Sequence, residues 1–133
     1  MFRDPFVIVY SLDVPRLAAF YADGFGFAPD FRWPPDPAAP AEFIVLKLGA
    51  HALGIGRANV PALHGGPTSA TGPAATFELC LEADDVDLAV ERLLRLGATL
   101  LVPPTDQPWN ERMTYVADPE GRPIHLFAKL AGT

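Results

Sequence analysis

The sequence predicts an α+β fold made of two tandem βαβββ modules. The order strand, helix, strand, strand, strand occurs twice along the 133 residues. A spacing of 72 residues relates the helix cap Asp13 to Asp85 and the turn residue Gly49 to Gly121, as expected for an internal repeat. Half of the residues are hydrophobic and 20% are charged, so the chain has enough apolar surface to bury a core.

The first module is predicted at 1–57. Four apolar, β-branched or aromatic runs predict its strands: 5–11, 25–31, 42–48 and 52–56. Asp13 is expected to cap a helix that begins near Val14 and ends at Gly24. Pro29 lacks a backbone N–H, so the second strand is expected at a sheet edge or at a break.

The second module is predicted at 75–133, with its elements in the same order. Its strands are expected at 75–83, 99–102, 113–117 and 123–127. Asp85 is expected to cap a helix from Val86 to Leu96, which Gly97 ends. Apolar residues recur at helical spacing along that helix: Leu88, Ala89, Leu93 and Leu96.

Two proline-rich segments separate these elements. Residues 58–74 have the Gly/Pro-rich composition of a linker between the two modules. The loop at 33–41 is interpreted either as a flap over a binding site or as a spacer, because ordered loops of this length often carry a function.

Bulk composition limits the classes of partner. The net charge of −6 argues against non-specific nucleic-acid binding, which needs Lys and Arg to displace counterions. Cys80 is the sole cysteine, so no intrachain disulfide can form, and a cytoplasmic location is the simplest interpretation. The sequence shows no signal peptide and no apolar run of membrane length. Neither nucleic acid nor a membrane is therefore an expected partner.

Three segments carry a resemblance to a known family. The chain resembles the vicinal oxygen chelate superfamily, which groups glyoxalase I, bleomycin resistance proteins, fosfomycin-resistance enzymes and extradiol dioxygenases. The segments are SLDVPRLAAFYADGFGF (11–27), DDVDLAVERLLRLGATLLVPP (84–104) and PWNERMTYVADPEGRPIHLF (108–127). The resemblance implies a curled, cup-shaped mixed β-sheet with helices on its outer face, and a homodimer. Family members usually have a glycine where this chain has Asn110.

The resemblance also points to four positions where metal-dependent members place their ligands: Phe6, Leu53, Glu78 and His125. The 72-residue spacing relates the same positions in pairs, Phe6 with Glu78 and Leu53 with His125. Because phenylalanine and leucine cannot ligate a metal, no tightly held metal or other cofactor is expected. A weak divalent metal at Glu78 and His125, completed by substrate oxygens, stays open.

Glu78 and His125 are the candidate catalytic pair. If both face the cup, their side chains meet in a hydrogen bond, and the carboxylate makes the imidazole a general base. In the alternative interpretation, Glu78 is solvated and His125 is a satisfied core histidine. Cys80 shares the face of Glu78, but no histidine is locally fixed beside it to activate it as a nucleophile.

The remaining candidate residues are expected to line the ligand site. Trp109 offers a stacking surface and Arg112 a charged fork for a carboxylate or phosphate, unless they pack and pair at the surface. Aromatic and apolar side chains complete the predicted lining: Phe6, Ile8, Tyr10, Leu53, Tyr115 and Phe127.

Two functions follow from these observations. The first is a protein similar to bleomycin resistance proteins, which binds a small organic molecule in the cup without a tightly held metal. The second is a lyase, isomerase or dioxygenase-type enzyme that works through Glu78 and His125. Loss of two ligand positions favours the first, whereas the two surviving polar groups favour the second.

Overall fold

A computed structural model describes residues 1, 3–58 and 78–131. The chain divides into two compact units, residues 1–73 and 74–133. Apart from residue 58, the predicted linker at 58–74 lies outside the described residues, as do 75–77 of the predicted strand that follows it. No helix in the described part of the chain is long and apolar enough to cross a membrane.

The first unit is a mixed four-stranded sheet with one helix, α1, at Val14–Phe25. Its strands are β1 (Val7–Ser11), β2 (Ala28–Trp33), β3 (Phe43–Leu48) and β4 (His51–Arg57). They lie in the order β1-β4-β3-β2. The β1–β4 pair is parallel, and the other two pairs are antiparallel.

The second unit repeats this topology around helix α2 at Val86–Arg95. Its strands are β5 (Leu79–Glu82), β6 (Thr99–Asp106), β7 (Glu111–Ala117) and β8 (Pro123–Lys129). They lie in the order β5-β8-β7-β6, again with a single parallel pair, β5–β8. The predicted α+β fold of two βαβββ modules is therefore confirmed.

Both helices begin as predicted. The carboxylates of Asp13 and Asp85 each accept a hydrogen bond from the backbone amide three residues on, at 3.2 and 3.1 Å, which satisfies a free N–H of the first turn. Helix α1 continues past Gly24, however, and ends at Gly26, whose φ of +82° is the left-handed conformation typical of a helix stop.

The apolar face of α2 differs from the predicted one. Its buried residues are Val86, Val90 and Leu93. Two of the predicted positions are exposed: Leu88 by 61% and Leu96 by 37%. Helical spacing from Leu93 fits apolar residues on either of two faces of the helix. Packing against the sheet determines which of these faces is buried.

In each sheet, alternate side chains of an inner strand form part of the buried core: Leu53 and Ile55 in β4, and Ile124 and Leu126 in β8. Leu53 is 4% exposed, and Ile124, in the corresponding strand, is fully buried. Phe6 and Ile8 lie on the opposite, open face of the first sheet, where they are 50% and 38% exposed. An ideal Cβ built on Gly54 would contact both of them, at 3.3 and 3.0 Å, so Gly54 also faces the open side.

The structural match between the units differs from the 72-residue spacing in the last strand. Cys80 pairs with His125 in the second unit, and its counterpart Ile8 pairs with Gly54 in the first. Gly54 is therefore the counterpart of His125, at a spacing of 71 (125 − 54). The prediction that Leu53 is the mate of His125 was wrong by one residue, and a shift of one residue reverses the face of a strand.

The two hairpin turns differ in length. Two residues separate the paired Leu48 and His51 in the first hairpin, whereas three separate Asp118 and Arg122, whose backbones are hydrogen-bonded in the second. Buried Asp118 fixes the longer turn, because its carboxylate accepts hydrogen bonds from the backbone amides of Glu120 and Arg122 at 2.8 and 3.0 Å. This longer turn alone would raise the spacing above 72. The observed spacing of 71 therefore shows that the second unit is shorter than the first between its first strand and this turn.

The loop at 33–41 is held by one side chain. The Arg32 guanidinium donates to three backbone carbonyls of this segment, those of Pro34, Asp36 and Ala39. Strand β2, which leads into the loop, is an edge strand with a register shift between Pro29 and Phe31, as its proline predicted. These bonds favour the spacer interpretation, because opening the loop would break all three.

Leu53→Ala is expected to lower the free energy of unfolding by about 2–5 kcal/mol, because it leaves a cavity in the core. Phe6→Ala, half exposed on the other face, is expected to cost about 1 kcal/mol or less. Urea denaturation followed by circular dichroism measures both variants. Equal losses would show that Leu53 does not occupy the core, and the assigned register would be wrong.

Candidate functional site

The open face of the second sheet carries a row of side chains that crosses all four strands. Cys80 on β5 pairs with His125 on β8, His125 pairs with Tyr115 on β7, and Tyr115 pairs with Val102 on β6. Directly paired residues share one face of a sheet. The parallel register of β5 and β8 therefore places a thiol beside an imidazole, and the imidazole beside a phenol.

Aromatic contacts and a hydrogen bond order this row. The rings of Tyr115 and His125 are stacked, with centroids 4.9 Å apart and an interplanar angle of 14°. Phe127 flanks the imidazole on the same strand face, with centroids 5.7 Å apart. The hydroxyl of Tyr115 donates to the Glu78 carboxylate at 2.7 Å, so Glu78 joins the cluster from the residue just before β5.

This arrangement corrects the predicted pair of Glu78 and His125. Both side chains do face the same side, but the hydrogen bond to Glu78 comes from Tyr115. The Nε2 atom of His125 is buried and has no hydrogen-bond partner among the described residues. Buried polar atoms rarely stay unpaired in native proteins, so this nitrogen is an unusual feature of the cluster.

The charge of Glu78 raises the pKa of two neighbours. Accepting the phenolic hydrogen bond raises the pKa of Tyr115, and burial and the nearby negative charge add to the effect. Burial is the main cause that raises the pKa of the Cys80 thiol, followed by the charge of Glu78. Both groups therefore hold their protons at neutral pH, and Glu78 is the acceptor around which they are arranged.

The cluster contains one more donor than the sequence predicted for a metal. One ligand atom each from Glu78, Cys80 and His125 lies within 4.8 Å of the others. Glu78 and Cys80 are exposed on this face, so their side chains have room to rotate toward a common point. Carboxylate, thiolate and imidazole are all ligands of divalent transition metals, and the three residues fit such an ion.

Arg112 is not brought together with this cluster. Its guanidinium forms a bidentate pair with Asp87 in helix α2, at 2.7 and 3.0 Å, and donates to Asp106 at 2.9 Å. These bonds raise the pKa of Arg112, and the pKa of Asp87 is lowered, chiefly by the same hydrogen bonds. Arg112 ties the start of α2 to the end of the sheet, on the face opposite His125.

Trp109 lies in the short loop between β6 and β7 and is 59% exposed. Its indole N–H donates to the Glu111 carboxylate at 2.9 Å. Asn110, which follows it, has a φ of +65°. This left-handed conformation favours glycine, and asparagine tolerates it better than most other residues.

The open face of the first sheet is apolar. Phe6, Ile8 and Tyr10 share this face as predicted, because the Cβ positions of Gly54 and Gly56 both face them. The two glycines leave space over β4, which the side chains of β1 fill. Leu53 lies on the other face and does not join this surface.

Sequence reasoning missed the position of Cys80. Its alternation with Leu79 and Leu81 placed it on the open face, but the histidine that lies beside it belongs to a strand 45 positions away (125 − 80). Only the register of the parallel pair brings them together. A search for residues paired across the first and last strands of the module would have found this neighbour.

Comparison with known proteins identifies the family. Residues 5–126 match the Glyoxalase/Bleomycin resistance protein/Dioxygenase superfamily. The structure is similar to a glyoxalase/bleomycin resistance protein/dioxygenase family enzyme from Burkholderia phytofirmans PsJN, with a TM-score of 0.80 and 23% identity over 94% of this chain and 97% of that one. TioX from Micromonospora sp. ML1 has a TM-score of 0.72 and 24% identity, over 93% and 96% of the two chains.

A lactoylglutathione lyase from Agrobacterium tumefaciens is also similar, with a TM-score of 0.64 and 23% identity over 96% of this chain and 94% of that one. At this identity the likeness shows the fold. Among curated sequences, an uncharacterized protein from Mycobacterium bovis is 40% identical over 67 residues, 47% of this chain. The match spans only 43% of that relative, and 38% of a similar protein from Mycobacterium tuberculosis.

Glu78→Gln is expected to lower the pKa of Tyr115, because the negatively charged acceptor that holds the phenolic proton is removed. Since the folded-state pKa is raised, the stability from this bond is complete below the ordinary tyrosine pKa, about 10. It is lost as the pH rises through the folded value. Ultraviolet absorbance titration of the phenolate, with Tyr115→Phe subtracted, measures the change.

Glu82→Gln is the matched control, because Glu82 is exposed on the same strand face as Cys80 and pairs with Phe127. It is expected to leave the Tyr115 titration unchanged. An identical titration in Glu78→Gln and in the unmodified protein would contradict the bond between Glu78 and Tyr115.

Proposed function

Because the chain belongs to the Glyoxalase/Bleomycin resistance protein/Dioxygenase superfamily, we propose that it binds a small organic molecule on the open face of its second sheet. The superfamily is one whose members bind small-molecule ligands. The observation that carries the proposal is the aromatic ladder of Tyr115, His125 and Phe127, on the face opposite the buried Ile124 and Leu126. Binding is proposed to need no tightly held metal.

The chemistry of the face indicates the ligand class. Stacked rings offer flat apolar surface to an aromatic group, in offset or edge-to-face contact. Glu78 is an exposed carboxylate at the edge of the ladder, and the chain carries a net charge of −6. A planar molecule with a cationic or hydrogen-donating group therefore complements the face in both shape and charge.

A second candidate is an enzyme of the lyase, isomerase or dioxygenase type, possible because three proton-carrying groups share the face. The buried Nε2 of His125 has no partner among the described residues, and this candidate assigns it the role of accepting a substrate proton. Glu78 accepts a hydrogen bond from the Tyr115 hydroxyl and orients that ring against the imidazole. A weakly bound divalent metal at Glu78 and His125 would polarise a substrate carbonyl.

The assembly and location predicted from the sequence stay predictions. A homodimer is proposed because family members usually complete their sites by pairing modules, and light scattering would test it. A cytoplasmic location is proposed from the single, free Cys80.

A thermal-shift panel of small drugs and metabolites tests binding, since a ligand of the native state present at 100 times its Kd stabilises by about 2.7 kcal/mol. The panel is run with a chelator so that metal plays no part. Phe127→Leu keeps an apolar side chain but loses the ring. It is expected to raise the Kd of a stabilising compound about tenfold, which corresponds to about 1.4 kcal/mol of binding free energy.

The control for this experiment is Arg95→Ala, an exposed position in the last turn of α2 on the other side of the sheet. It is expected to bind the compound as the unmodified protein does. A panel in which no compound raises the melting temperature would overturn the proposed binding. An equal loss in Arg95→Ala and Phe127→Leu would place the ligand elsewhere.

Catalysis is tested by incubating each stabilising compound with the protein and following products by mass spectrometry. If the second candidate is correct, His125→Gln is expected to slow turnover by about 100-fold or more, because general-base catalysis contributes that much. Glu82→Gln is expected to have no effect. If compounds bind but are not converted to products, the enzyme candidate is overturned and the binding function remains.

A further inference from the structure

We propose that Glu78, Cys80 and His125 form a three-ligand site for a thiophilic divalent cation of the zinc type, with Cys80 supplying a thiolate ligand. The proposal deepens the second candidate function, because it names the third ligand and the class of cation. The proposal depends on the second candidate function only because both use the same site. A cation can bind there without any organic molecule.

Strand geometry brings the three donors together. Glu78 and Cys80 are two residues apart and therefore project from the same side of the chain, and His125 is directly paired with Cys80. Their ligand atoms lie within 4.8 Å of one another. Tetrahedral zinc, with bonds of about 2.0–2.3 Å, needs donors roughly 3.3–3.8 Å apart. Side-chain rotation of about 1 Å by the two exposed residues closes this gap.

A second observation concerns the imidazole of the same cluster. The Nε2 atom of His125 is buried and lacks a hydrogen-bond partner among the described residues. Histidine ligands normally bind the metal through one ring nitrogen while the ring is oriented by neighbouring groups. Here the stacked ring of Tyr115 and the nearby ring of Phe127 hold the imidazole in place, so the nitrogen is fixed before a cation arrives.

The donor types decide between classes of cation. Mg²⁺ and Ca²⁺ need six or more oxygen ligands, and this cluster offers one carboxylate. Thiolate and imidazole favour zinc and similar borderline cations over magnesium and manganese. Three protein ligands leave the fourth tetrahedral position open, as in zinc sites where water or substrate binds.

The site belongs to the second unit alone. The counterparts of Cys80 and His125 in the first unit are Ile8 and Gly54, which offer no metal-binding side chain. Cation binding releases one proton. The cation replaces the thiol proton of Cys80, this proton passes to solvent, and no electron is transferred. The bond between Tyr115 and Glu78 is kept if the cation uses the other carboxylate oxygen.

The test uses the full chain, reduced and freed of metal, with no organic ligand present. Co²⁺, which substitutes for zinc, is added while the near-ultraviolet absorption is recorded. A thiolate-to-cobalt charge-transfer band is expected to grow until one cation is bound per chain. Cys80→Ser is expected to abolish the band, and zinc is expected to displace cobalt at equal concentration, whereas a hundredfold excess of Mg²⁺ is not.

Four further variants complete the design. Glu78→Gln and His125→Gln are each expected to weaken Co²⁺ binding by about tenfold or more, since even indirect partners of a ligand contribute 10–100-fold. His51→Ala, which removes an exposed histidine of the first unit, and Glu82→Gln are expected to bind as the unmodified protein does. Circular dichroism of each metal-free variant confirms that it is folded.

The outcomes separate this inference from the proposed function. Cobalt binding without the charge-transfer band, or with a band that survives in Cys80→Ser, overturns the proposal. So does the absence of any bound cation at millimolar Co²⁺. The small-molecule panel is run with a chelator, so a protein that binds cobalt but no compound would refute only the binding function.

Discussion

Parallel pairing between β5 and β8 sets the position of every polar group on the open face of the second sheet. Cys80 opposes His125 in this pair, and the antiparallel neighbour β7 then brings Tyr115 against the imidazole. Side chains alternate between the two faces of a strand, so a slip of one residue would bury His125 against the helix and expose Ile124. Ile124 and Leu126 are both buried. They stabilise this register, since a slip of one residue would expose both side chains to water.

The same register has opposite consequences in the two units. In the first, the position of His125 is taken by Gly54, and the side chains of Phe6 and Ile8 close over the space that the missing Cβ leaves. In the second unit, His125 stands on β8 at the position that corresponds to Gly54, and its imidazole lies on this face beside Cys80. The two units of one topology thus have one apolar face and one polar face, which differ in the residues at paired positions.

Sequence reasoning succeeded where the relevant interaction is local. Helix caps at Asp13 and Asp85 depend on an amide three residues away. Alternation along one strand was enough to place Phe6, Ile8 and Tyr10 on one face. The two repeats, read together, gave the order of elements and hence the fold.

Sequence reasoning failed where a contact depends on long-range pairing. Arg112 meets Asp87 across 25 residues, and Tyr115 meets Glu78 across 37. Neither contact follows from spacing, because each depends on which strands and helices become neighbours and in what register. The mate of His125 was misassigned for the same reason, because counting along the chain does not show which residues of two strands are paired. The candidate residues were therefore found more easily than their partners.

Glu78 is the group on which the chemistry of the face depends. Its charge holds the proton of Tyr115 and adds to the effect of burial in holding that of Cys80, so the cluster without a cation has two weak acids arranged around one base. The proposed divalent cation would reverse this balance, because positive charge stabilises a thiolate. The protonated thiol and the metal-bound thiolate would then be alternative states of one site, with the cation and the proton competing for Cys80. A neutral ligand stacked on the imidazole would not enter this competition, so the proposed binding of an organic molecule would not depend on the state of Cys80.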